Sequence, residues 1–93
     1  MNTANLQLEG LIMAFAAISE AIVRKGLITH DELGAALARA EEAVNRTDLD
    51  ELSKSNQAAA VFPIRILSVA NQASQQGRAY SFSDYAELVG RLT

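Results

Sequence analysis

The chain has 93 residues, 49% of them apolar and 20% charged, and 8 Lys and Arg against 11 Asp and Glu give a net charge of −3. That length supports one domain, 1–93, around one core. High apolar content at low net charge excludes disorder. The absence of cysteine excludes a disulfide framework and a Cys-ligated zinc site, and the acidic balance leaves no basic footprint for nucleic acid.

Five glycines and one proline rarely interrupt a chain rich in Ala, Leu, Glu, Arg and Gln, which lose little rotamer freedom in a helix. No segment sustains period-2 alternation. The expected fold is all-α, a compact bundle of four main helices at about 5–25, 30–46, 49–76 and 82–92.

In the first helix Leu8, Leu11, Phe15, Ile18 and Ile22 recur at alternating three- and four-residue steps and form one stripe. Leu6, Ile12, Met13, Ala16 and Val23 widen the apolar surface well beyond it. Arg24 and Lys25 suit the negative end of the helix dipole, and Gly26 supplies the left-handed position that ends the helix. The apolar run from Gly10 to Ile18 is shorter than the roughly 20 residues a spanning helix needs. No basic segment precedes it, as a secretory signal would require. These features predict a soluble, cytoplasmic chain with no membrane partner.

Thr29 and Glu32 have the spacing of a capping box, flanked by Ile28 and Leu33 as a possible hydrophobic staple. Leu33, Ala36, Leu37, Ala40 and Val44 form the expected inner stripe of the second helix. Arg39, Glu41, Glu42 and Arg46 are expected to face outward. The short link from Gly26 to Thr29 makes the first two helices close neighbours.

Asp48 and Glu51 repeat the capping spacing, with Leu49 and Leu52 beside them. Further on, Ala59, Phe62, Ile66, Val69 and Ala73 share a stripe, flanked by Ile64, Leu67 and Ala70. Pro63 lies inside this pattern. It cannot donate to the carbonyl of Ala59 and crowds that turn, yet the apolar register continues past it. One helix kinked near Pro63, ending at Gly77, is therefore expected. The last helix opens with Ser81 as cap and Asp84 three residues on. Tyr80 can staple onto Tyr85, while Phe82, Tyr85, Leu88, Val89 and Leu92 form its buried face.

No nucleophile, base and acid share a recognisable motif, so the chain is expected to be non-catalytic, without cofactor or metal. His30, Asp31 and Glu32 are consecutive, not spaced to converge on a metal from one helix face, and read as exposed helix-start residues. Residues 80–93 resemble the opening half of a helix-turn-helix, with Ala86 and Gly90 at the expected spacing. The chain stops where a reading helix would begin. The Gly26 turn has the same outline, but Asp31 and Glu32 would repel phosphates. Arg65 and Asn71 are the candidate buried polar residues. Arg65 is expected to pair with Asp84, Glu87 or Glu20, and an enzyme site would need Arg65, Asn71 and a carboxylate in one pocket. Asn71, Gln72, Gln75 and Gln76 make an amide-rich helix end.

The strongest functional signal is the first helix. It offers about two apolar stripes where a four-helix bundle needs one, and a surplus apolar face marks an interface. Leu8, Leu11, Ile12, Phe15, Ile18 and Ile22 are the expected interface residues of a homodimer, with a second protein partner as a further role. The alternative is a small regulatory protein near nucleic acid, in which a dimer pools Arg78 and Arg91.

Overall fold

A computed structural model describes residues 3–46 and 54–92. They form α1 (Thr3–Arg24), α2 (His30–Asn45), α3 (Lys54–Gln75) and α4 (Phe82–Leu92). The fold is all-α, a four-helix bundle. The expected start of the third helix, with the capping pair Asp48 and Glu51 and with Leu49 and Leu52, lies outside the described residues, as does the side chain of Leu92.

The helix ends follow their local chemistry. Glu32 N–H donates to Thr29 Oγ1 at 3.0 Å and Thr29 N–H donates to Glu32 Oε1 at 2.9 Å, so the capping box at α2 is complete. Asp84 N–H donates to Ser81 Oγ at 3.1 Å to cap α4. Gly26 and Gly77 have φ of 78° and 73°, a region that penalises any side chain. Each closes its helix with the same pair of bonds. Gly26 N–H reaches Val23 O and Leu27 N–H reaches Ile22 O; Gly77 N–H reaches Ser74 O and Arg78 N–H reaches Ala73 O. This is the double bond pattern of a Schellman end.

α3 runs through Pro63 as one helix and is the spine of the bundle, packing on all three others and most extensively on α2. Ile66 is fully buried at its centre, joined by Ala70, Ala73, Ile12, Tyr85 and Val89. Val61, also on α3, is buried as well, whereas Ala59 at the head of the expected stripe is exposed. In α2, Leu33, Leu37 and Val44 are half-buried, while Ala36 and Ala40 face solvent and nothing is fully buried. Alanine ends one carbon from the backbone, so a helix pairing through Leu and Val leaves its flanking alanines uncovered.

α1 shows which of its two stripes the bundle uses. Ile12 is 5% exposed, with Met13 and Ala16 packed beside it on the core. Leu8, Leu11, Phe15 and Ile18 are 45%, 62%, 54% and 57% exposed. Ile12 therefore belongs to the chain's own core and leaves the expected interface set. Ile22, at the end of the stripe, is half-buried.

Candidate functional site

The outer face of α1 is built by spacing alone. Residues 8, 11, 15, 18 and 22 fall on the a and d positions of a heptad, the narrow seam along which two helices pair. Ala14 lies next to that seam and is exposed, so a neighbouring backbone can approach closely. Between Thr3 and Ser19 the only charged residue is Glu9, and it is half-buried, away from the most exposed positions.

Counting unbroken apolar residues understates α1. The whole 22-residue helix is long and apolar enough to cross a membrane, with a mean hydropathy of 1.6 over 18 residues. Helix length, about 1.5 Å per residue, sets the span, and an occasional charge does not end it. The expectation that α1 is too short to span is corrected on that point.

A second feature joins α2 to α3. Asn71 is 9% exposed. Its Nδ2 donates to the carbonyl of His30 at 3.0 Å, and its Oδ1 lies 2.8 Å from His30 Nδ1. A carbonyl only accepts, so the amide nitrogen must face it. Oδ1 then faces the ring, so Nδ1 carries a proton. His30 is half-buried, not an exposed helix-start residue. Its Nε2 has no partner among the described residues, and no buried side-chain nitrogen or oxygen there lacks one. Nε2 is therefore open to solvent.

His30 borders a pocket of about 130 Å³ between α1, α2, α3 and the α3–α4 turn. Met13, Leu33, Leu37, Leu67 and Ala70 give it an apolar floor, and Ser19, Glu20, Ser74 and Arg78 add polar groups. Tyr80 and Tyr85 close one side. Their rings meet edge to face, with centroids 5.8 Å apart and planes at 86°. Tyr80 N–H donates to Tyr85 Oη at 3.0 Å. The expected staple thus also satisfies a buried hydroxyl.

Arg65 does not join this site. Its Nε and Nη2 donate to Glu41 Oε1 and Oε2 at 3.3 and 3.5 Å. The partner is on α2, which was expected to turn Glu41 outward, and not on α4 or α1. The candidates named from sequence are engaged elsewhere or capping: Glu87 holds Arg91 at 2.6 Å, Glu20 holds Arg24 at 3.5 Å, and Asp84 sits in the first turn of α4. Asn71 lines two pockets, and Arg65 lines neither. Among the described residues no group of three His, Asp or Glu could hold a metal ion.

None of the protein-family models, curated proteins or solved structures compared with the chain matches it.

Proposed function

We propose that this is a non-catalytic, cytoplasmic helical protein that pairs with a second copy of itself along the outer face of α1 and serves as a protein-interaction module. The carrying observation is the heptad seam of Leu8, Leu11, Phe15 and Ile18, each 45% exposed or more. A seam with no charge to impose polarity is complementary to its own image, which is what a two-fold axis requires. Area supports the same reading. The chain exposes 6463 Å², against about 5,200 Å² for a 10.0 kDa monomer by the usual size scaling. The excess, roughly 1,200 Å², is more than the roughly 800 Å² that a standard interface takes from each partner.

A second copy suits this face better than lipid does. The opposite face of α1 holds Ile12, Met13 and Ala16 on the core. A membrane span would have to withdraw them and uncover Ile66. The nucleic-acid reading has thinner support, because Arg91 is neutralised by Glu87 and the net charge is −3.

Sedimentation equilibrium at micromolar concentration tests the proposal. The expected species is about 20 kDa, twice the 10.0 kDa chain. Phe15→Glu with Ile18→Glu should return it to monomer with unchanged helix content. A clean monomer for the unaltered chain overturns the pairing. So does flotation of the chain with neutral phosphatidylcholine vesicles, which would assign the face to lipid.

A further inference from the structure

The pocket behind His30 meets three conditions at once. Its volume, about 130 Å³, is close to that of an apolar cavity that takes a benzene-sized guest. Its lining is mostly apolar with a few polar side chains, the composition of a small-molecule site. Two of those groups are uncommitted. Arg78 has no acidic partner among the described residues, in contrast to Arg24, Arg46, Arg65 and Arg91. His30 presents Nε2 while Asn71 fixes its ring through Nδ1. Holding one ring nitrogen by a buried hydrogen bond is how proteins aim the other. The acid at the rim, Glu20, is already engaged by Arg24.

We infer that this pocket binds a small organic acid. Its ring-sized apolar body lies on Met13, Leu33 and Leu67, its carboxylate pairs with Arg78, and a hydroxyl or N–H of the ligand donates to His30 Nε2. The guanidinium selects a carboxylate over a neutral group because its fork matches two oxygens at once. In the neutral ring, a proton on Nδ1 leaves the lone pair at Nε2, which selects a donor. This site is independent of α1 pairing, whose exposed seam is the other face of the helix.

The test is a titration of ¹⁵N-labelled protein with 4-hydroxybenzoate, followed by amide shifts. Saturable shifts at Met13, His30, Leu67 and Arg78 are expected. Arg78→Gln should weaken binding on the order of tenfold. The neutral analogue 4-hydroxybenzyl alcohol should weaken similarly, and benzoate, lacking the donor, should also bind less tightly. Arg78 is exposed, so its replacement leaves the core intact, and Arg39→Gln on α2 is the control that should bind normally. The proposal is overturned by an absence of saturable shifts at about 10 mM ligand. It is equally overturned if the neutral analogue binds as tightly as the acid, or if Arg78→Gln and Arg39→Gln behave alike.

Discussion

Asn71 holds His30 at two points, its amide nitrogen 3.0 Å from the backbone carbonyl and its amide oxygen 2.8 Å from ring Nδ1. The two residues are 41 positions apart in sequence, so this contact fixes the start of α2 against the end of α3. Asn71→Leu keeps the volume but leaves a buried carbonyl and a ring N–H without their partner. Such losses cost about 1–3 kcal/mol. In a domain of this size each kcal/mol moves the melting midpoint by roughly 4–8 °C. Thermal unfolding followed by circular dichroism should show that drop, and an unchanged midpoint would mean that the contact contributes nothing.

Gly34 sits beside the same amide. A Cβ added there would lie 3.5 Å from Asn71 Nδ2, an ordinary contact. Gly34→Ala should therefore keep the Asn71 contact and gain about 0.5–1 kcal/mol from reduced backbone freedom in the unfolded chain. Gly34→Leu has no such room and should displace Asn71. Urea denaturation should rank Ala above Gly and Gly above Leu. A destabilised alanine variant would show that α2 and α3 pack more tightly there than this spacing allows.

Tyr85 is buried, and its hydroxyl accepts from Tyr80 N–H at 3.0 Å. Tyr85→Phe preserves the ring and its edge-to-face contact while orphaning that N–H. A loss of about 1 kcal/mol is expected, read as a lower urea midpoint at unchanged slope. A change in slope would instead point to a looser turn between α3 and α4.

The helix limits were legible because their signals are local. Thr29 with Glu32, Ser81 with Asp84, and the two left-handed glycines each act within a few residues. The facing of α1 was not legible, since both of its faces are apolar and hydropathy cannot rank them. The bundle seats Ile12, Met13 and Ala16, a narrower face, against the central helix and leaves the regular seam outside. Arg65 failed for a related reason. The pattern of α2 turned Glu41 outward, but a long arginine on a neighbouring helix reaches residues at the edge of a stripe. Asn71 stood out as an amide close to an apolar face, yet its partner could be found only from the register between α2 and α3.

Pro63 lies in the interior of α3, where it withholds a hydrogen bond from the carbonyl of Ala59 and crowds the preceding turn. An interior proline costs roughly 3 kcal/mol relative to alanine. Pro63 is half-buried, so alanine also removes some apolar contact. Pro63→Ala should still raise stability, by about 1–2 kcal/mol, measured by urea denaturation. A lower midpoint would show that the ring's packing outweighs the missing bond, and that α3 needs its proline to meet the other helices.

Arg65 and Glu41 offer a test of which acid matters. The pair is joined by bonds of 3.3 and 3.5 Å, and both side chains are about one-third exposed, so water and salt weaken the attraction. A double-mutant cycle with Arg65→Gln and Glu41→Gln should give a coupling below about 1 kcal/mol. It should shrink further in about 1 M salt, where the screening length falls to roughly 3 Å. The same cycle with Glu87→Gln should give no coupling, because Glu87 is held by Arg91 one helical turn away. Coupling to Glu87 in place of Glu41 would mean that Arg65 turns toward α4 in solution, and the alignment of α2 on α3 would then rest on the Asn71 clamp.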